Sequence, residues 1–288
     1  IPEIQNNSTV YLIELIKSNP TVYGVKQNVA EIIEILLKKY KTKRNLANAL
    51  KLNENNLYHN WIKENARGNL DLKTFKRLIK EANYSLEKIN DVELSLYKGH
   101  RIKIPKKINK DLLYFAGLIA GDGDLSKMEN TTSIRFSNSN PVLMNCFKEL
   151  SKRLFGVETN ISSEQSEKRP KSLRFASKIV AEILNEFGIP NSPKSNIINP
   201  TNIIMQMPNE DLSYFLRGLF DCDGSVIRIK TKGTGYIDFT TTSKELARKM
   251  QLLLLRFGIH SKLRQRPPSP NAKIKSQYDK YILEPLIS

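Results

Sequence analysis

The pattern of hydrophobic and polar positions is dominated by one apolar stretch that occurs twice. The first copy runs over residues 115–123 and the second over residues 216–224, and each begins after an aromatic pair and closes on Asp-Gly. An unbroken apolar run of this length predicts a helix that is buried on most sides. The duplication predicts two similar halves related by a pseudo-two-fold axis.

The same order of elements recurs after each apolar run. Alternating residues predict strands over 133–137 and 236–240, and a helix follows each, opened by Asn140-Pro141 in the first copy and capped by Ser243 in the second. A further strand (172–175) and helix (178–187) complete the first copy. A strand over 281–283 ends the second, whose last helix we expect to be missing. The predicted fold class is α+β, with two pseudo-symmetric αββαββα repeats at 111–208 and 209–288.

Residues 1–95 carry helical patterns, and we expect a small all-α domain there. A short helix over 46–50, a turn with Asn53 as N-cap, and a polar helix over 54–65 resemble the Cro/repressor-type helix-turn-helix. In that interpretation Asn55, Asn56 and His59 point toward base edges. The alternative is an ordinary helical bundle.

Residues 96–110 are rich in Lys and Arg and are interrupted by Gly99 and Pro105. They predict a basic linker between the helical domain and the repeats. Such a segment is either an extended arm along a phosphate backbone or a solvated connector.

The composition of the chain indicates which class of partner it binds. The chain has 46 Lys and Arg against 29 Asp and Glu, a formal net charge of +17, which suggests a polyanionic partner, by default nucleic acid. A solvated Lys-rich surface is the alternative that composition alone leaves open. Two cysteines in apolar runs argue against disulfides and structural zinc. No apolar run reaches the length of a membrane span, and no signal peptide opens the chain, so we expect a cytoplasmic protein that is nucleoid-associated when bound to DNA.

The repeated stretch also suggests chemistry. Small residues recur four positions apart on one face of each predicted helix: Gly117, Gly121, Gly218 and Cys222. They would let the two helices approach until their backbones touch, which brings Asp122 and Asp223 together. Two close carboxylates repel unless cations lie between them, so we expect two or more divalent ions, most naturally Mg²⁺. Beside DNA, this predicts phosphodiester hydrolysis. The alternative, a capping Asp followed by a C-cap Gly, does not explain the duplication.

Both stretches resemble the LAGLIDADG motif of homing endonucleases, in the single-chain form with two motifs. Residues 101–105, 188–195 and 244–259 are also similar to the endonuclease segments of inteins. The resemblance implies that Asp122 and Asp223 are metal-binding catalytic acids and that Lys194 positions or polarises water. It implies a monomer that grips a long asymmetric site in double-stranded DNA with a saddle of two sheets. Both strands would be cut, leaving 3′ overhangs.

Strand alternation predicts which side chains face that DNA. With Ile134 and Phe136 inward, Arg135 points outward. The same logic on the second sheet gives outward positions at Arg228, Lys230 and Tyr236. Arg135 and Arg228 are candidates for guanine contacts, or for contacts with only phosphate or water. We expect Arg264 and Arg266 to contact the DNA backbone.

The chain departs from the family pattern in two ways. Ala120 stands where the second copy has Asp221, at a variable position. The chain begins Ile1-Pro2 and ends Ile287-Ser288, so we expect no protein splicing. Two other functions remain open: a DNA-binding regulator with a non-cutting scaffold, and an intron maturase. The two motif-ending acids favour the endonuclease, because a scaffold that only binds has no use for facing carboxylates.

Overall fold

The computed structural model describes residues 9–63, 68, 70–97, 100–161, 172–229, 234–268 and 278–285. These residues form two compact units, an N-terminal unit (9–107) and a C-terminal unit (108–285). Among them, no helix is both long enough and apolar enough to cross a membrane.

The N-terminal unit combines helices with a sheet. Its helices are α1 (Leu12–Leu15), α2 (Lys26–Tyr40), α3 (Lys43–Ala49), α4 (Glu54–Leu57) and α5 (Leu72–Glu81), with a π-helical turn at Tyr58–Ile62 and a 3₁₀ turn at Leu86–Lys88. Its strands are β1 (Thr21–Tyr23), β2 (Leu70–Asp71), β3 (Val92–Tyr97) and β4 (His100–Ile104). They form one antiparallel sheet in the order β2-β1-β3-β4.

This sheet corrects two predictions. The N-terminal unit is not all-α, and residues 96–110 are not a linker, because β3 and β4 pair as neighbouring strands. Ile102 and Ile104 alternate with Arg101 and Lys103, and the two isoleucines are buried. The two basic side chains form ion pairs with the acidic residues Glu93 and Asp91. The basic composition therefore concealed a period-two strand pattern.

The predicted order of helix, turn and helix is present at α3 and α4. The Asn53 side chain accepts hydrogen bonds from the backbone N–H groups of Asn55 (2.9 Å) and Asn56 (3.3 Å), so the predicted N-cap is confirmed. The second helix changes to π geometry at Tyr58, whose carbonyl accepts from the N–H of Lys63. The end of the predicted helix, 64–65, lies outside the described residues.

The C-terminal unit contains the two repeats. The first has α6 (Lys110–Asp122), β5 (Gly123–Lys127), β6 (Thr132–Ser137), α7 (Pro141–Phe155), β7 (Asn160–Ile161), β8 (Ser172–Ala176) and α8 (Lys178–Glu186). After α9 (Asn202–Met205), the second has α10 (Asn209–Asp223), β9 (Gly224–Ile229), β10 (Thr234–Thr241), α11 (Lys244–Leu255), β11 (Ser261–Arg266) and β12 (Lys280–Pro285). The sheet orders are β5-β6-β8-β7 and β9-β10-β12-β11, so corresponding strands occupy corresponding places. The predicted α+β fold with two pseudo-symmetric repeats is confirmed.

Each sheet lies on an apolar core beneath its helices. In the first repeat, Phe147 of α7 stacks on Phe115 of α6 and on Phe136 of β6, with ring centroids 5.5 and 5.2 Å apart. Ile134 and Phe136 are fully buried while Arg135 between them is partly exposed, as the alternation predicts. The fully buried Phe239 lies at the position of β10 that corresponds to Phe136 in β6.

Candidate active site at the paired helix ends

The helices α6 and α10 touch through their glycines. A Cβ atom added to Gly117 would overlap the carbonyl oxygen of Phe215 and lie 2.9 Å from the Cα of Gly218. One added to Gly218 would lie 2.6 Å from the carbonyl oxygen of Tyr114. Only hydrogen fits at these two positions, so the backbones of the two helices are in direct contact.

The carboxyl ends of the two helices meet at the next turn. A Cβ on Gly121 would overlap the Cβ of Cys222 and lie 3.5 Å from Oδ2 of Asp223. The thiol of Cys222 faces the carbonyl of Leu118 at 3.8 Å, and burial raises its pKa to about 12. Cys222 therefore fills space between the helices as a neutral thiol, and it is no nucleophile at neutral pH.

Asp122 and Asp223 are the last residues of α6 and α10. Burial, and next the negative charge of Asp122, raise the pKa of Asp223 to about 6, although the charge of Lys194 acts in the opposite direction. The strands β5 and β9 start at Gly123 and Gly224, which directly follow these two acids and have extended backbone geometry. The chain thus turns directly from helix to strand, which leaves both carboxylates at the helix ends.

Lys194 lies beneath the end of α6 and is only 8% exposed. Its Nζ donates hydrogen bonds to the carbonyl oxygens of Ala120 (2.6 Å) and Gly121 (2.7 Å), which have no partner within the helix. Burial lowers the pKa of Lys194, whereas the charges of Asp223 and Asp122 raise it. The structure therefore brings together all three predicted catalytic residues.

Asn138 is a site residue that sequence reasoning missed. Its Nδ2 donates to Oδ2 of Asp122 at 2.6 Å, and its Oδ1 accepts from the backbone N–H of Asn140 at 2.6 Å. At the corresponding place in the second repeat, the Thr241 hydroxyl accepts from the N–H of Ser243 at 3.1 Å. An asparagine before an N-cap is the only sequence signal, and it does not indicate contact with a carboxylate.

Asp124 is a second residue that the sequence did not single out. Its Oδ2 accepts from Ser126 Oγ (2.5 Å) and from the Arg135 guanidinium (3.1 Å), and its Oδ1 accepts from Ser192 Oγ. Burial would raise the pKa of Asp124, but the hydrogen bonds from Ser126 and Ser192 and the charge of Arg135 outweigh burial and lower it. Asp124 is thus an ionised carboxylate engaged with protein donors.

The acids at the helix ends fit a hard divalent cation. Within the described ranges, no group of three or more His, Cys, Asp or Glu side chains is placed to hold a metal ion. Asp122 and Asp223 instead supply two carboxylates, and after burial the negative charge of Asp122 is the second cause that raises the pKa of Asp223. Mg²⁺ is commonly held by one or two carboxylates, with water and substrate phosphate oxygens completing its shell.

The predicted DNA-facing residues have mixed outcomes. Arg135 lies on the partly exposed face of its sheet, Arg264 is exposed and pairs with Glu284 at 3.0 Å, and Arg266 is exposed. Lys230 lies outside the described residues, as do the side chains of Arg228 and Tyr236. In the N-terminal unit, Asn55, Asn56 and His59 are exposed.

The register of β9 and β10 corrects one of these predictions. Arg228 pairs with Gly235, and Tyr236 pairs with Ile227. Because cross-strand partners share a face and neighbours alternate, Arg228 and Tyr236 occupy register positions on opposite faces. The prediction that both positions belong to the outer face of the sheet therefore conflicts with this register.

Comparison with known proteins gives the family. A model described as LAGLIDADG-like domain matches residues 109–188 and 210–283. The replication factor C small subunit of Methanocaldococcus jannaschii is 30% identical over 187 residues, 62% of this chain and 10% of that protein. A component of the A-type ATP synthase of Methanopyrus kandleri is 29% identical over 200 residues, 68% of this chain and 18% of that protein. The chain thus spans less than a fifth of these relatives.

Solved structures with a similar fold include mesophilic variants of the homing endonuclease I-DmoI. They are 18% identical, with a TM-score of 0.45 over 62% of this chain and 89% of that one. I-DmoI in complex with DNA and Mn is 17% identical, with a TM-score of 0.43 over the same shares. Because the family model covers both repeats and more than half of the residues, this chain belongs to the family of LAGLIDADG-like domain proteins, with two copies of the domain.

Proposed function

We propose that this protein is a site-specific endonuclease that hydrolyses one phosphodiester in each strand of double-stranded DNA and leaves 3′ overhangs. The observation that carries the proposal is the meeting of Asp122 and Asp223 at the ends of two helices in backbone contact, beside the buried Lys194. A protein that only binds DNA gains nothing from two adjacent carboxylates that repel each other and the phosphates.

Asp122 and Asp223 would hold divalent cations, most naturally Mg²⁺. When bound, such ions supply positive charge that activates the attacking water and stabilises the leaving oxygen of a phosphodiester. One carboxylate for each DNA strand fits this role, because each of the two helix ends can approach one of the two scissile phosphates.

The protein's own groups keep these acids in position. Asn138 donates to Oδ2 of Asp122 and so fixes the orientation of that carboxylate. Lys194 binds the last carbonyl oxygens of α6 and adds a positive charge next to Asp122 and Asp223. In the proposed reaction, the Lys194 ammonium limits the repulsion between the acids and the incoming phosphate, and it orients nearby water.

The names of the relatives support the interpretation that this chain is similar to a segment inserted into otherwise unrelated proteins. Their names describe parts of a replication factor and of an ATP synthase, activities with no common chemistry, and the chain matches only 10% and 18% of their lengths. A segment shared by such different proteins does not supply their named activities. We therefore infer that the chain is an endonuclease of the type found within inteins.

We also propose that the N-terminal unit contacts DNA through Asn55, Asn56 and His59. These side chains are exposed along α4 and the π-helical turn that continues it. Asparagine can pair with adenine through two hydrogen bonds in the major groove. The exposed Lys43 and Arg44 at the start of the preceding helix fit phosphate contacts beside such a helix.

The test starts from a random-sequence duplex library. Sites bound by the protein in Ca²⁺ are selected, and the selected duplex is then incubated with Mg²⁺. We expect Asp122→Asn and Asp223→Asn each to lower the cleavage rate by a factor of about 100 or more while affinity in Ca²⁺ is retained. The matched control is Asp221→Asn, two residues before Asp223 on the same helix. Oδ2 of Asp221 accepts from the Tyr114 hydroxyl of α6 at 2.8 Å, and asparagine keeps an acceptor oxygen there, so this variant should cut at close to the wild-type rate.

Three results would count against the endonuclease. If the wild-type protein selects a site but leaves it intact in Mg²⁺, it is a DNA-binding regulator. If it binds structured RNA in preference to every duplex, it is a maturase. If the double variant Asp122→Asn/Asp223→Asn cuts normally, the catalytic residues lie elsewhere.

A further inference from the structure

The Lys194 side chain is held at its ammonium end, while its backbone lies in a connecting segment. Its Nζ donates to the carbonyl oxygens of Ala120 and Gly121 at 2.6 and 2.7 Å. The backbone belongs to residues 187–201, the Lys194 segment, which joins α8 to α9 without a helix or strand. Because a lysine side chain is long, flexible and strongly hydrated at its tip, it stays buried only if its backbone is also held.

Ser192 attaches this segment to β5 by two hydrogen bonds. Its backbone N–H donates to the carbonyl oxygen of Leu125 at 2.9 Å, and its hydroxyl donates to Oδ1 of Asp124. The two acceptors are neighbours at the start of β5, directly after Asp122 and Gly123. A hydrogen bond to a carboxylate is stronger than one between neutral groups. We call the bond between Ser192 and Asp124 the tether.

Other contacts hold the segment after Lys194. The Lys194 carbonyl oxygen accepts from the N–H groups of Ile197 (3.0 Å) and Ile198 (3.1 Å). The carbonyl oxygen of Ile198 in turn accepts from the hydroxyl of Ser243, the fully buried N-cap of α11, at 2.6 Å. The segment is therefore attached to the first repeat before Lys194 and to the second repeat after it.

The tether closes a short ring of contacts around the site. From Asp122 the chain passes through Gly123 to Asp124, the hydrogen bond crosses to Ser192, and the chain then reaches Lys194. The Lys194 ammonium returns to the end of α6, whose last residue is Asp122. Few soft backbone torsions lie along this ring, so it limits how far the ammonium can move from the acid.

The two carboxylate oxygens of Asp124 have different partners. Oδ1 accepts from Ser192, whereas Oδ2 accepts from Ser126 Oγ at 2.5 Å and from the Arg135 guanidinium at 3.1 Å. Ser126 and Arg135 belong to β5 and β6, so their bonds hold the carboxylate against the sheet. The contact that reaches the Lys194 segment can thus be removed separately from a contact that does not.

We propose that Asp124 and Ser192 are positioning residues that hold the Lys194 ammonium next to the two catalytic acids. They act through Lys194 and need no contact of their own with the reacting phosphate. The proposal rests on the proposed function and adds to it the residues that determine where the lysine charge lies. Loss of the Ser192 hydroxyl leaves the backbone bond to Leu125, so the segment stays folded while the ammonium exchanges its carbonyl acceptors for water more often.

The first experiment compares cleavage by wild type, Ser192→Ala, Lys194→Met and the double variant. Each protein, in saturating excess over the selected duplex, is started with Mg²⁺, so that the single-turnover rate does not depend on affinity. Affinity is measured separately in Ca²⁺. The matched control is Ser126→Ala, which removes a hydroxyl from the other oxygen of the same carboxylate. Ser192 is exposed and Ser126 is partly exposed, so neither change leaves a buried cavity.

We expect Ser192→Ala to slow cleavage by about tenfold while affinity is unchanged, because one hydrogen bond to a charged group is lost. In the Lys194→Met background the same change should have no further effect, since the group that the tether positions is absent. Ser126→Ala should cut at close to the wild-type rate.

The second experiment measures the position of Lys194 without DNA or metal. The protein is treated briefly with acetic anhydride, and acetylation of each lysine is measured by mass spectrometry of its peptides. Ser192→Ala should raise the acetylation rate of Lys194 severalfold, because the nearly buried amine reaches solvent more often. The exposed Lys178 of α8 is the internal reference and should react equally in both proteins.

Wild-type rates of both cleavage and Lys194 acetylation in Ser192→Ala would overturn the proposal. So would an equal slowing of cleavage by Ser192→Ala with and without Lys194, because the hydroxyl would then act through another group. Failure of the proposed function is distinguishable, since the wild-type protein would then cut no selected duplex. In that case the acetylation of Lys194 still decides whether the tether holds the lysine.

Discussion

Asp122 and Asp223 end equivalent helices but lie in different surroundings. Asp122 accepts a hydrogen bond from Asn138, whereas the corresponding Thr241 is engaged with a backbone N–H. Burial and the charge of Asp122 raise the pKa of Asp223 to about 6. The repeats are therefore symmetric in their elements and asymmetric in the chemistry of their acids.

The raised pKa of Asp223 predicts a pH-dependent loss of stability in metal-free protein. An unfolded Asp has a pKa near 3.9, so the folded state binds more protons between about pH 4 and pH 6. The extra free energy of unfolding that protonation of Asp223 provides is fully present below about pH 4 and is lost as the pH rises through about 6. Above that pH the Asp223 carboxyl is ionised in the folded protein, at a cost of up to about 3 kcal/mol. Asp223→Asn removes this dependence.

The measurement is urea unfolding in EDTA at pH 4.5 and pH 7.5, for wild type and Asp223→Asn. The variant should gain stability relative to wild type at the higher pH. A difference that is the same at both pH values would contradict the pKa shift. Mg²⁺ should stabilise wild type more at pH 7.5 than at pH 4.5, because the ion and the proton compete for the same carboxylate.

The sequence predicted the site residues that belong to a repeated pattern. Asp122 and Asp223 end the two apolar runs, and their spacing from Gly117 and Gly218 indicates the helix contact. Asn138 and Asp124 follow no such pattern. Their partners are set by where the strands β5 and β6 lie after folding, which depends on tertiary packing rather than on local periodicity.

At the scale of elements, the close contact between α6 and α10 depends on glycines, which have no side chain, at the points where the two helices touch. Gly117→Ala would place a methyl group against the Phe215 carbonyl and 2.9 Å from the Cα of Gly218, and helix backbones cannot yield locally. We expect a net loss of about 1–3 kcal/mol in unfolding free energy, even after the better helix propensity of alanine. The cleavage rate should fall more than DNA affinity, because the spacing of the two acids changes.

Thermal or urea unfolding and cleavage assays check this prediction. The control is Gly258→Ala, in a turn with φ of 75° and no atom within 4 Å of the added Cβ. That change adds backbone strain without crowding, so stability should fall by about 1 kcal/mol and cleavage should be unaffected. Equal cleavage by Gly117→Ala and wild type would show that the helices tolerate separation.

Strands are harder to predict than helices in this chain, for two physical reasons. Between His100 and Ile104 the alternation is short and its polar positions are basic, so the composition masks the pattern. On β9 and β10 each strand shows its own alternation of apolar residues. Alternation within one strand does not determine its register with the next, so it could not show that Arg228 and Tyr236 lie on opposite faces.

At the scale of the whole molecule, the boundary between the units decides which truncations are meaningful. The units divide after residue 107 rather than after residue 95. A cut at 95 would remove β1, β2 and most of β3 and leave β4 unpaired, with the buried side chains of Ile102 and Ile104 exposed. An apolar edge strand of this kind promotes aggregation.

Deletion of residues 1–107 therefore tests the N-terminal unit. The remaining chain keeps both repeats, so it should still cut the selected site in Mg²⁺, with affinity lower by at least about tenfold and a shorter footprint. In the full-length chain, Asn55→Ala, Asn56→Ala and His59→Ala together should remove the base preferences that the deletion removes while stability is unchanged, because all three side chains are exposed. Footprinting and equilibrium binding of these proteins on one duplex give the comparison. If the footprint and affinity of the deletion variant equal those of the full-length chain, the N-terminal unit does not contact DNA, and its helix-turn-helix order is structural only.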